Sequence, residues 1–176
     1  MRKILFAALL TATTLALAGC GQSMDKVDQE LDKRAAADAS AAAANVQAGQ
    51  AFLAQTAKQP GVVSLPNGLL YKVVSSPDPN APKPAATDVV RINYEGKLVD
   101  GQIFDSSYAR NEPATYALPK LVEAWQIAVP MMHKGDTWML YVPPELGYGS
   151  HDQGDAIPAN SVLVFKIQLL DINPKA

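Results

Sequence analysis

Apolar and polar residues alternate along Val89-Val90-Arg91-Ile92-Asn93-Tyr94-Glu95, with Val90, Ile92 and Tyr94 on one face and Arg91, Asn93 and Glu95 on the other. A two-residue period is that of a strand with one buried face. The run continues through Leu98 to Asp100-Gly101, a hairpin-type turn, and residues 102–105 return. Gly68 to Val74, Thr137 to Val142 and Val162 to Ile172 read as three more strands, the last with Leu163, Phe165, Ile167 and Leu169 on one face. Residues 119–129 change period and place Leu121, Val122, Trp125, Ala128 and Val129 on one face of a short helix, opened by Pro119 and closed by Pro130. About five strands around one short helix predict an antiparallel α+β domain. Two loops stand out. Residues 75–87 hold four prolines, and residues 143–160 form a long connection of the kind that usually carries function.

Upstream the pattern is different. Residues 21–59 are polar and rich in alanine, the best helix former. Met24, Val27, Leu31, Val46, Phe52 and Leu53 are sparse, and Arg34, Asp38 and Asn45 interrupt any heptad. Glu30 and Arg34 are spaced for an i,i+4 ion pair. These residues predict a helix with a weak apolar stripe, broken or frayed near Gly49. It serves as a spacer on a monomer or, alternatively, as a dimerising helix.

The first 20 residues, MRKILFAALLTATTLALAGC, open with Arg2 and Lys3 and continue in an uncharged apolar run of about 15 residues. A membrane-spanning helix needs about 20, so the run reads as a secretory signal. Leu17-Ala18-Gly19-Cys20 resembles the lipobox of bacterial lipoproteins. That resemblance implies removal of residues 1–19 and acylation of Cys20. Gly21 after the cysteine, rather than Asp, implies the periplasmic face of the outer membrane of a Gram-negative bacterium. The organisation expected is a signal over residues 1–19, a lipidated Cys20 with its helical tether over 20–59, and a lead-in strand and Pro-rich loop over 60–87. The main domain then runs over 88–176, and strand 68–74 joins its sheet.

Composition narrows the chemistry. Fifteen basic against 17 acidic residues give a net charge of -2, without the basic excess of a nucleic-acid binder. One Cys makes no intramolecular disulfide, and with two His it closes no Cys/His zinc site. His133 and His151 lie in turn-like settings that read as solvated loops, without an evident nucleophile partner. Gly147-Tyr148-Gly149 with Gly154 lacks the spacing of a dinucleotide fingerprint, and no cofactor or metal is indicated.

Five large rings, Tyr94, Phe104, Trp125, Tyr148 and Phe165, fall on strands, a helix and a loop that can converge. Such rings can be core alone. Two details point to a site instead. Phe104 is followed by Asp105, which is costly to bury unpaired, and Tyr148 sits between glycines in a loop. An apolar concave site suits a small apolar ligand such as a prolyl ring.

The blocks Asn93-Tyr94-Glu95-Gly96-Lys97-Leu98-Val99-Asp100-Gly101-Gln102-Ile103-Phe104-Asp105-Ser106-Ser107, Glu123-Ala124-Trp125, Leu146-Gly147-Tyr148-Gly149 and Ile157-Pro158-Ala159-Asn160-Ser161-Val162-Leu163-Val164-Phe165 resemble the FKBP family of peptidyl-prolyl isomerases. They come in the family's order and spacing. The lead-in Gly68-Leu69-Leu70-Tyr71-Lys72-Val73 is similar to that of the Mip-like bacterial branch. The resemblance implies a curved antiparallel sheet wrapped around the short helix and a rotamase activity on X-Pro bonds. Unfolded or partly folded exported proteins would be the partners, and tacrolimus- or rapamycin-like compounds the inhibitors. It implies Trp125 as the pocket floor and Tyr94, Phe104, Val122 and Phe165 as walls. The Ile157 N–H and the Tyr148 hydroxyl would hold substrate carbonyls, and Asp105 would sit near the twisting carbonyl, fixed by Arg110. Asp105, Tyr148, Phe104 and Trp125 are thus the catalytic candidates. Ala114 stands where small family members carry a ring, thinning one wall. Two other readings keep the same residues: a proline-binding module or holdase chaperone with little catalysis, and a structural envelope lipoprotein.

Overall fold

The computed structural model describes residues 21–154 and 156–175. The signal segment and Cys20 lie outside the described residues. The chain divides into two compact units, the first ending at Ala37 and the second starting at Asp38. The boundary falls inside one helix, α1 (Gly21–Thr56). In the first unit, residues 26–37 are exposed on every side. Glu30 pairs with Lys33 at 3.7 Å rather than with the expected Arg34. Among the described residues no helix is long and apolar enough to cross a membrane.

The second unit is a seven-stranded sheet packed on a short helix. In chain order it holds β1 (Val62–Ser64), β2 (Leu70–Ser75), β3 (Val89–Leu98), β4 (Ile103–Ser106), α2 (Ser107–Arg110), β5 (Ala114–Ala117), α3 (Glu123–Ala128), β6 (Thr137–Val142) and β7 (Leu163–Ile172). The strands lie in the order β1-β2-β6-β7-β3-β4, and β5 also pairs with β3. Every pairing is antiparallel. The α+β class and the five expected strands are present, and β1 and β5 are added. Both additions are short: β1 has three residues and β5 four, too few for a two-residue period to stand out.

The alternation on β3 buries Val90, Ile92, Tyr94 and Leu98 toward the helix, as its pattern requires. The Asp100-Gly101 turn closes with Gly101 at φ 94°, and Gln102 N–H donates to Asp100 Oδ1 at 2.9 Å. Glycine carries that left-handed backbone without a Cβ penalty. The core between sheet and helix is filled by Leu69, Ile92, Leu118, Met132, Leu140, Leu163, Ile167 and Leu169, all fully buried.

Three expectations need correction. The helix over 119–129 is α-helical only across Glu123–Ala128, flanked by 3-10 turns at Leu118–Lys120 and Val129–Met131. Leu121 and Val122 have extended backbone, at ψ 169° and 149°, so both precede α3 rather than sit on it. His133 is not a freely solvated loop residue: its Nδ1 lies 3.6 Å from a carboxylate oxygen of Asp136, which is fully buried. Third, α1 does not fray at Gly49. It runs unbroken to Thr56, and its second half, from Asp38, belongs to the second unit and packs on the sheet domain. Gly49 is buried, Asn45 Nδ2 donates to the Ala159 carbonyl at 3.0 Å, and the Phe52 ring lies 6.0 Å from that of Tyr141.

Leu140 lies at the centre of this core, and Val74 is exposed on its rim. Leu140→Ala should therefore destabilise the fold by about 2–5 kcal/mol, and Val74→Ala by no more than about 0.5 kcal/mol. Denaturant melts of the two variants measure both.

Candidate functional site

The N-terminal end of α3 opens on a cleft of about 290 Å³. Trp125 forms its deepest part. The indole lies edge-to-face against Tyr94, with ring centres 5.4 Å apart, and against Phe165 at 5.1 Å. Such T-shaped contacts are favoured by ring quadrupoles and hold each plane in place. Tyr94 comes from β3, Phe165 from β7 and Trp125 from α3, so three elements are locked at one point. The indole Nε1 is buried and has no hydrogen-bond partner among the described residues.

Phe104 does not line the cleft. Its half-buried ring lies over Gly96 of β3 and meets Phe165 edge-to-face at 5.7 Å. Gly96 makes this possible, because a Cβ there would lie 2.6 Å from the Phe104 ring and 2.8 Å from Phe165. The glycine near the end of β3 is therefore a space held open for two rings.

The polar edge is built on β4 and α2. Ser106 caps α2 by accepting from Ala109 N–H at 3.2 Å, and Asn111 closes it in a left-handed conformation. Buried Ser107 ties α2 to β3 by accepting from Tyr94 N–H at 2.8 Å. This short frame turns Arg110 back on Asp105. Arg110 Nη1 donates to Asp105 Oδ1 at 2.5 Å and Nη2 to the Tyr94 hydroxyl at 2.9 Å. The Tyr94 hydroxyl in turn donates to Asp105 Oδ2 at 2.5 Å. Each carboxylate oxygen thus has a donor, and Asp105 is oriented from two sides.

These contacts decide protonation. Burial pushes the Asp105 carboxyl up, but the hydrogen bonds from Tyr94 and Arg110 outweigh it and hold the group below its ordinary value. Burial first, and then the bond to Asp105, raise the Tyr94 hydroxyl far above its ordinary range. Burial and the Asp105 charge also raise Tyr148. At neutral pH the edge therefore presents one ionised carboxylate and two protonated phenols.

Of the expected site residues, Tyr94, Asp105, Val122, Trp125, Tyr148 and Phe165 come together around this cleft. Arg110 stands outside it and reaches it through Asp105. The Ile157 side chain is buried in the core rather than in the lining, and its carbonyl accepts from Gln153 N–H at 2.9 Å. Ala114 is not in the lining either. The wall beside it is supplied by Tyr116, whose hydroxyl is 3.3 Å from that of Tyr94. Tyr116, Lys120 and Leu121 complete the lining and were not among the expected site residues. Tyr116 depends on β5, which pairs Val90 with Tyr116, and the one available signal was a tyrosine between Thr115 and Ala117, three residues after a proline.

An antiparallel sheet packed on one short helix, with an indole-floored cleft at the helix start, is the frame to be matched against known folds. Comparison with known proteins identifies which one. Residues 80–170 match the family of FKBP-type peptidyl-prolyl cis-trans isomerases, and residues 4–73 match the domain found amino-terminal to it. The chain belongs to the FKBP-type peptidyl-prolyl cis-trans isomerase family. It is 40% identical to the peptidyl-prolyl cis-trans isomerase Mip of Coxiella burnetii over 131 residues, 74% of this chain and 56% of that protein. It is 37% identical to the outer membrane protein MIP of Legionella longbeachae over 144 residues, 82% of this chain and 61% of that one. The crystal structure of FkpA from Escherichia coli superposes with a TM-score of 0.77 at 34% identity, covering 89% of this chain and 75% of that one. The chain spans about 60% of the length of the curated relatives it matches.

Two outcomes test this geometry. Trp125→Ala should destabilise the fold by about 3–5 kcal/mol, because the ring serves core and cleft together. Tyr94→Phe removes a bond that lowers Asp105, so the carboxyl should titrate at higher pH than in the wild type, as read by carboxyl-carbon NMR shifts. In the wild type the stability contributed by ionised Asp105 is full above its ordinary value of 3.8. It is lost as pH falls through the lower folded value. An unchanged titration in Tyr94→Phe would mean that this bond does not set the charge.

Proposed function

We propose that this chain is a peptidyl-prolyl cis-trans isomerase that accelerates rotation about X-Pro bonds in exported proteins. The observation that carries the reading is the cleft itself: an indole floor between Tyr94 and Phe165, with Asp105 ionised and doubly oriented at the edge. The prolyl ring enters over Trp125, between Val122, Tyr94 and Phe165, with Phe104 packed against Phe165.

Rotation of the peptide bond is slow because amide resonance must be lost, at a barrier of about 18–20 kcal/mol. The uncatalysed step takes tens to hundreds of seconds for X-Pro. Turnover at about 10–1,000 per second needs about 4–7 kcal/mol off that barrier. The planar amide is zwitterionic in part, and the twisted one is not. An apolar floor therefore favours the twisted form over the planar one, which lowers the barrier without a covalent step. The Tyr148 hydroxyl, protonated at neutral pH, donates to one substrate carbonyl, and the Ile157 N–H donates to another. Asp105 sits beside the twisting carbonyl and is kept in place by Arg110. A macrolide of the tacrolimus or rapamycin kind would compete for the same floor.

The experiment is the cis-to-trans rate of an X-Pro tetrapeptide. Wild type should accelerate it. The folded Asp105→Ala, Tyr148→Phe double variant should lose about 10-fold or more in kcat/KM, the worth of roughly one hydrogen bond made in the transition state. Wild-type turnover in that variant would remove the polar edge from the mechanism. Binding without acceleration by the wild type would instead favour a proline-binding module or holdase chaperone.

The setting proposed is the periplasmic face of the outer membrane, in a Gram-negative bacterium, with the chain held by acyl groups on Cys20. The support is the charged-apolar-small pattern ending in Leu17-Ala18-Gly19-Cys20 and the outer-membrane name of the Legionella longbeachae relative. A monomer accords with the short stripe of Val27 and Leu31, which Arg34 interrupts. Wild type should fractionate with membranes and carry acyl mass at Cys20, and Cys20→Ala should lose both. A free thiol on Cys20 of the native protein would contradict the anchor.

A further inference from the structure

The second half of α1 grips one particular loop of the domain, the long connection between β6 and β7 that carries Tyr148 and Ile157. We propose that this half-helix is a brace for that loop, and that Asn45 and Gly49 are positioning residues that set how tightly the cleft holds its substrate. The proposal rests on the isomerase reading.

Gly49 is buried in the second half of α1 and has alanines nearby at Ala48 and Ala51. Glycine weakens a helix interior, so propensity does not account for it. Close approach does: a Cβ on Gly49 would lie 2.6 Å from Val162 Cγ2. One turn earlier on the same face, Asn45 Nδ2 donates to the Ala159 carbonyl at 3.0 Å. Both contacts fall on the arm of the loop that follows Ile157.

That arm is tied to the other. Asn160, held at φ 58°, donates its N–H to the Gly149 carbonyl at 2.9 Å, and Gly149 N–H donates to the Pro144 carbonyl at 2.8 Å. Gly149 adjoins Tyr148, which lines the cleft. A shift of Ala159 away from α1 is therefore carried through Asn160 and Gly149 to Tyr148. Neither Asn45 nor Gly49 lines the cleft. Their loss moves the groups that hold substrate and leaves the Trp125 floor and the Asp105 network in place, so affinity changes more than turnover.

The test measures kcat and KM for an X-Pro tetrapeptide, together with amide hydrogen exchange across residues 143–162. The full chain is compared as wild type, Gly49→Ala, Val162→Ala, their combination, and Asn45→Ala. Gly49→Ala should raise KM by about 3- to 10-fold with kcat changed less than about 2-fold, and should speed exchange in the loop. An alanine strengthens a helix, so this loss cannot come from unwinding α1. Adding Val162→Ala removes the opposing methyl and should return KM and exchange to within about 2-fold of the Val162→Ala single variant. Asn45→Ala should shift both readouts in the same direction. The proposal is overturned if loop exchange is unmoved in Gly49→Ala and Asn45→Ala, or if the second substitution restores nothing. An active wild type with an unmoved loop sinks the brace and leaves the isomerase reading. An inactive wild type sinks the isomerase reading, and loop exchange alone then decides whether α1 is a brace.

Discussion

The edge-to-face clamp on Trp125 is the contact on which both the fold and the cleft depend. Tyr94 and Phe165 lie on neighbouring antiparallel strands, β3 and β7, and each presents its ring to the same indole. Burying that indole ties α3 to the sheet, and the exposed part of the same cluster is the cleft floor. The floor is therefore no softer than the core, because it is the core seen from one end. Gly96 extends the logic to one more ring. Only the absence of a side chain there leaves room for the Phe104 ring against Phe165.

The polar edge obeys a different constraint. Asp105 directly follows a packed ring, so its charge had to be matched where it stands. The match comes from Arg110 on the first helical turn after β4 and from the outer end of Tyr94, a ring whose body belongs to the clamp. Tyr94 is the joint between the two regions: apolar contact to Trp125 on one side, hydrogen bonding to Asp105 on the other. Orientation of the carboxylate and rigidity of the floor are in this way set by one residue.

Much of this is legible in the amino-acid sequence, for definite reasons. The alternation Val90, Ile92, Tyr94 directs β3 inward in a register that a one-residue slip would invert, and the same holds for Leu163, Phe165 and Ile167 on β7. Asp105 next to Phe104, and Tyr148 between glycines, are conspicuous because neither setting suits a core. Tyr116 is not legible, since β5 is too short to show a period and exists only by pairing with β3. The docking of α1 is hidden because Gly49 reads as a weak point in a helix when it is a point of contact. The signal that could have found it is Val162-Leu163-Val164-Phe165, four consecutive apolar residues that demand cover on both faces of the sheet.

An apolar floor that prefers the twisted amide must speed rotation of a bound X-Pro bond, whereas a cleft that merely holds proline must not. Two-dimensional exchange NMR of an X-Pro tetrapeptide, with a small molar fraction of the full chain, separates these directly. The account predicts cross-peaks between the cis and trans signals at mixing times far shorter than the tens of seconds of free exchange. Signals that shift or broaden through binding while cis and trans remain unconnected would contradict it.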